Sequence, residues 1–143
     1  AMSDLPPAAG QAFEKIRGRL AWPVSGKITA RFGQARGGGL KWNGVMIEAA
    51  RGTVVNALYD GRVAYADWLP GMGLLIIVDH GGYMSLYAHN EQLYKAVGAR
   101  VEGGEAIATV GDTGGRSQPG LYLEIRRGAK AIDPVPWFRR PSP

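Results

Sequence analysis

The chain has 143 residues, 45% of them hydrophobic, a formal net charge of +5, two histidines and no cysteine. That length suits one domain with its own core, and the lack of cysteine excludes disulfide frameworks, thiolate metal sites and cysteine nucleophiles. The charge favours acidic partners, but the 17 Lys and Arg are dispersed and carry no nucleic-acid-binding motif, so no nucleic acid partner is expected.

Residues 1–20 read as a lead-in and a short helix, with Ala1-Met2 as a cloning remnant and residues 1–10 as a loose segment. Over residues 11–20, Phe13, Ile16 and Leu20 recur at three- and four-residue spacing. About ten residues cannot hold a helix alone in water, so this one must dock; it is expected to be the tail of an upstream helical region. Residues 21–138 form the expected domain, and 139–143 a tail. Within the domain, 22 glycines and nine prolines punctuate short apolar runs across the chain, which predicts a mostly β fold. Strands are predicted at 27–32, 44–48, 53–58, 61–68, 74–80, 83–88, 106–110 and 120–126, with a glycine-rich loop at 34–40 and one helical turn at 91–95. Asp60-Gly61 and Gly81-Gly82 sit where tight hairpin turns belong. Leu74 to Val78 is continuously apolar, as a central strand covered on both faces would be.

The stretch at 120–126 carries the most chemistry. Side chains alternate across a strand, so Tyr122, Glu124 and Arg126 share one face while Leu121, Leu123 and Ile125 take the other. The polar row is either the wet face of a half-buried sheet or a binding surface. His80 ends the apolar strand and reads as a structural, hydrogen-bonded histidine, although a metal site built from His80, His89 and a carboxylate stays open at this level.

Several segments in order carry a resemblance. They are Trp22-Pro23-Val24-Ser25-Gly26 with Arg31-Phe32-Gly33, Gly52-Thr53-Val54-Val55-Asn56-Ala57, Asp60-Gly61-Arg62-Val63, Leu86-Tyr87-Ala88-His89, and Leu121 to Arg126 with Asp133-Pro134. Together they resemble the LytM or lysostaphin-type zinc peptidase domain, which cuts peptide cross-links in bacterial cell walls. The resemblance implies an antiparallel β-sheet domain with an open groove. That family holds zinc with a His-x-x-x-Asp pair and the second His of His-x-His, while the first His of that motif and the His of Tyr-x-His assist catalysis. Here the ligand positions fall on Trp42, Met46 and Tyr122, and one catalytic position on Gly120; Tyr87-Ala88-His89 keeps the third motif. Indole and phenol do not replace imidazole, and a thioether is a poor zinc ligand beside hard donors. No metal, no cofactor and no hydrolysis are therefore expected, with His89 a remnant.

Within the family, Lys41-Trp42-Asn43-Gly44-Val45-Met46-Ile47, Ala66-Asp67-Trp68-Leu69, Met84-Ser85-Leu86-Tyr87 and Leu121 to Arg127 resemble the degenerate EnvC-type murein hydrolase activators. That resemblance implies a monomeric, non-catalytic periplasmic activator acting at the division septum of a Gram-negative bacterium. Its partner would be a zinc-dependent N-acetylmuramoyl-L-alanine amidase, whose inhibitory helix the groove would bind. The implied groove residues are Trp42, Asn43, Met46, Met72, Leu75, Tyr87, His89, Tyr122, Glu124 and Arg126, with Arg126 pairing an acidic residue of the helix. An upstream coiled coil would link the domain to a transporter-like complex. The rival readings are a peptidoglycan-binding module and a residual endopeptidase.

Overall fold

Phe13 explains why so short a helix forms. The computed structural model describes residues 8–140 and 143, and in it helix α1 (Ala8–Lys15) starts inside the segment read as a loose lead-in and ends before residue 20. The expectation for residues 1–7 lies outside the described residues. Phe13 is fully buried and stacks within 4.9 Å of His80, Tyr83 and Trp137. Burying such a ring stabilises by about 2 kcal/mol, which two turns of isolated helix do not supply.

The strands follow in chain order: β1 (Lys27–Ala30), β2 (Ala35–Gly37), β3 (Leu40–Lys41), β4 (Val45–Glu48), β5 (Val54–Asn56) and β6 (Gly61–Leu69). Then come β7 (Gly73–Asp79), β8 (Tyr83–Leu93), β9 (Arg100–Val101), β10 (Ala106–Val110), β11 (Gly120–Arg127) and β12 (Lys130–Ile132), with a 3-10 turn at Val135–Trp137. The mostly β, antiparallel expectation is met: one sheet runs β1-β4-β11-β8-β7-β6-β9, and β10 joins β5 to β8. Three local expectations differ. The glycine-rich loop contains a small hairpin, β2 with β3. The helical turn expected at 91–95 is instead the end of β8, held as a strand because Gln92 and Leu93 pair with Thr109 and Ala108 of β10. Asp60-Gly61 makes no hairpin, since β6 pairs with β7 and β9 rather than β5; a Cβ on Gly61 would lie 2.5 Å from the Asp79 carbonyl, so close strand approach requires this glycine. Gly81 and Gly82, at φ of 83° and 91°, do turn β7 into β8.

Alternation divides the apolar side chains between two clusters. Val45 and Ile47 of β4, Leu121, Leu123 and Ile125 of β11, Tyr87 of β8 and Ile76 and Val78 of β7 enter the main core, with Phe13, Trp137 and Phe138. From the same strands, Met46, Tyr122, Leu86, Ala88 and Leu75 enter a second cluster on the opposite face. This explains why β7 reads as continuously apolar.

A polar chain runs through the main core. The Leu58 N–H donates to the Tyr87 hydroxyl at 3.0 Å, which contacts Ser85 Oγ at 2.7 Å; Ser85 in turn contacts His80 Nε2 at 2.8 Å. His80 Nδ1 donates to the Asp60 carbonyl at 2.8 Å, so Nε2 is the accepting nitrogen and the direction of every bond follows. Burial pushes the His80 imidazole down to about 4, and a proton on Nε2 would face the Ser85 donor. The unfolded chain takes up that proton below 6.5 and the folded chain only near 4. Stability from this group is therefore complete above about pH 6.5 and is lost as pH falls towards 4, by about 3 kcal/mol. We expect the His80 ring resonances to stay unmoved between pH 8 and pH 5.5 in an NMR titration; a midpoint near 6.5 would refute the buried neutral ring.

Candidate functional site

The second cluster is built where three strands meet. In register, Tyr122 of β11 lies between Met46 of β4 and Ala88 of β8. Trp42, just after β3, brings its ring to 5.9 Å from that of Tyr122, and His89 lies 6.4 Å from it on another side. Trp42 and Met46, His89 and Tyr122, from three separate stretches of the sequence, thus converge. His89 has a φ of 67°, the one non-glycine residue with positive φ among those described, a backbone state that costs on the order of 1–3 kcal/mol and concentrates at functional sites. Its N–H donates to the Met72 carbonyl at 2.8 Å, and its Nδ1 donates to the Thr113 carbonyl at 2.7 Å. Burial pushes the imidazole below its ordinary range, and the Arg116 and Arg36 charges act in the same direction against the Thr113 bond. The ring is therefore neutral at pH 7, with Nε2 bare.

The row on β11 is tied within itself. The Tyr122 hydroxyl donates to Glu124 Oε2 at 2.5 Å, and Arg126 Nε donates to Glu124 Oε1 at 2.7 Å. Glu124 is 1% exposed, so its carboxylate depends on both donors. Burial and then the Glu124 bond push the Tyr122 phenol up, which keeps it a neutral donor. Arg126 also donates from a terminal nitrogen to the Ala129 carbonyl at 3.3 Å. The carboxylate that Arg126 was expected to find on a partner is thus already present in its own strand.

The remaining sequence-derived site residues divide. Asn43 is exposed, and Trp42 and Met72 are half-buried at the rim. Met46 and Leu75 are each 2% exposed and Tyr122 4%, so they form a covered floor rather than an open one. Tyr87 requires correction: its side chain is fully buried in the main core, on the far face of β8, where its hydroxyl serves the chain to His80. Period-two alternation puts it opposite Leu86 and Ala88. The groove face retains two cavities. One, of about 310 Å³, is walled by Trp42, Met72, His89 and Tyr122 together with Arg36, Arg116 and Ser117. The other, of about 360 Å³, lies between Ile77, Met84, Leu86 and Arg126. Sequence reasoning missed Arg36, which stands on the small β2–β3 hairpin inside the glycine-rich segment, and Arg116 and Ser117, which stand on a loop; the glycines around Arg36 and Arg116 were the only signal.

The zinc that the resembling family would hold here does not fit these residues. A catalytic site needs about three N, O or S donors with an open position. Around the Tyr122 ring the candidates are a single imidazole nitrogen, a thioether, an indole and a phenol already bonded to Glu124. Among the described residues, no three His, Cys, Asp or Glu side chains group closely enough for a metal ion.

The Glu124 pair makes a stability test specific. We expect Arg126→Ala to destabilise by about 2 kcal/mol, discounted for the partial exposure of Arg126. Glu124→Gln combined with Arg126→Ala should recover at least half of that loss, because no buried charge is left alone. Equal urea midpoints for Arg126→Ala and the parent would show that the pair contributes nothing.

Comparison with known proteins bears on the family and the fold. The family model described as peptidase family M23 matches residues 40–134. Murein hydrolase activator EnvC of Escherichia coli is 48% identical over 125 residues, which are 87% of this chain and 30% of that protein. Murein hydrolase activator NlpD of the same species is 40% identical over 116 residues, 80% of this chain and 30% of that protein. The chain thus spans about a third of the length of these relatives. Among solved structures, the catalytic domain of lysostaphin from Staphylococcus simulans superposes with a TM-score of 0.74 at 25% identity, covering 88% of this chain and 94% of that one. A matching sheet, relatives at 40% identity and above, and a family model covering about two thirds of the chain lead to one assignment: the chain belongs to peptidase family M23.

Proposed function

We propose that the chain is a non-catalytic activator of cell-wall N-acetylmuramoyl-L-alanine amidases, working in the periplasm in septal peptidoglycan splitting. The observation that carries this reading is the convergence of Trp42, Met46 and Tyr122 around one neutral His89, at positions where the family resemblance implies metal ligands. The relatives named as murein hydrolase activators support it. A lone imidazole without a metal to acidify water is a weak route to hydroxide at neutral pH, whereas aromatic and methionine side chains suit the centre of a protein interface.

The mechanism is helix-in-groove recognition followed by a population shift. An amphipathic inhibitory helix of the amidase lays its apolar face along the rim residues Trp42 and Met72 and over Ile77 and Met84, which are partly buried against the cluster. The domain binds the amidase only once that helix has left the active site, so it enriches the open form by its differential affinity. Trp42 is the better anchor than Tyr122, because Tyr122 is almost wholly covered and its hydroxyl is committed to Glu124.

The decisive assay mixes purified cell wall, a zinc-dependent periplasmic amidase and this domain, each pair separately and then all three. We expect wall fragments at high rate only from the complete mixture, and Trp42→Ala to raise the concentration needed for half-maximal activation roughly 30-fold. Fragments released by the zinc-supplemented domain without the amidase would make it an enzyme and end the proposal.

A further inference from the structure

Two arginines at the cavity beside His89 have no acidic partner among the described residues. Arg36 lies over the Trp42 ring at 3.8 Å, and Arg116 Nε is buried with no hydrogen-bond partner among the described residues. Both act on His89. The walls of this cavity, about 310 Å³, include Ser117 and no Asp or Glu. A buried guanidinium N–H without an acceptor is uncommon in a native fold, and two unneutralised arginines beside a bare imidazole make a site for an anion. The other arginine of the groove face, Arg126, already holds Glu124.

We infer that this cavity is a carboxylate socket, in which Arg36 and Arg116 grip an Asp or Glu side chain of the helix that docks on the groove. The inference rests on the groove being the docking surface proposed above. Trp42 and Tyr122 form the apolar wall of the same cavity. A ligand that fills it must therefore carry its carboxylate next to apolar groups, as an acidic residue on the edge of an amphipathic helix does. A free inorganic anion would leave that wall wet. The acid anchor therefore lies at the His89 end of the floor, about 13 Å along β11 from Arg126, given four residues of strand.

Two arms test this separately from the activator reading. In the first, N-acetylglutamate amide is titrated into the domain and followed by NMR. Shifts should concentrate on the Trp42 indole N–H, the His89 ring and the amides of residues 114–117. They should vanish in Arg36→Gln/Arg116→Gln, whose fold is checked by its thermal melt. An absence of shifts, shifts equal in the double variant, or shifts centred on Arg126 would overturn the socket. In the second arm, Arg116→Glu should raise the half-maximal concentration for amidase activation at least tenfold. Full activation by that variant would overturn the socket and leave the activator reading standing. If no amidase responds to the parent domain while the probe still seats, the activator reading fails and the carboxylate chemistry survives. A cell-wall stem peptide that seats where the glutamate probe does, and outcompetes it, would transfer the socket to the wall and overturn the helix as its occupant.

Discussion

Strand β11 is hydrogen-bonded along both edges, to β4 on one side and β8 on the other, and the site depends on that double pairing. A strand held on both sides cannot slip its register, because a shift of one residue would send Leu121, Leu123 and Ile125 to the groove and Tyr122 and Glu124 into the main core. Register in turn sets Tyr122 beside Met46 and Ala88, and one residue past Ala88 the chain turns through the left-handed conformation of His89. The core therefore acts as the reference plane from which the groove face is placed.

On that face, charge is divided into a satisfied part and an unsatisfied part. Tyr122, Glu124 and Arg126 close a triad around the buried Glu124 carboxylate within one strand. Arg36 on the β2–β3 hairpin and Arg116 on a loop meet no carboxylate at the neighbouring cavity. The first arrangement contributes to stability and fixes the floor. The second leaves a charge for an incoming group to neutralise. Exposure follows the same division: the floor is covered, while Trp42, Asn43 and Met72 form the reachable rim.

The polar chain from Leu58 through Tyr87 and Ser85 to His80 shows how one motif can serve two faces. In Tyr87-Ala88-His89, the tyrosine buttresses the main core, and the left-handed turn at His89 brings the imidazole to the groove side. Reading the motif as a unit put both residues in the groove. Alternation along β8 separates them.

Much of the sheet was legible in advance because its determinants are local. Period-two patterning on β11, the continuous apolar run on β7 and the Gly81-Gly82 turn each encode structure within a few residues. The end of β8 was misread as helix because its strand state comes from pairing with β10, a contact no local signal carries. The sequence by itself determined the two-faced strand, the mostly β fold and the absence of a histidine-rich donor set. Only the tertiary structure decided that Arg126 is engaged by Glu124, that Tyr87 belongs to the core, and that Arg36 and Arg116 meet at one cavity. The last two depend on distances between segments dozens of residues apart, which exist only once the strands have paired; the first joins neighbours on one face of β11, where pairing on both sides buries Glu124 and leaves Arg126 as its cation.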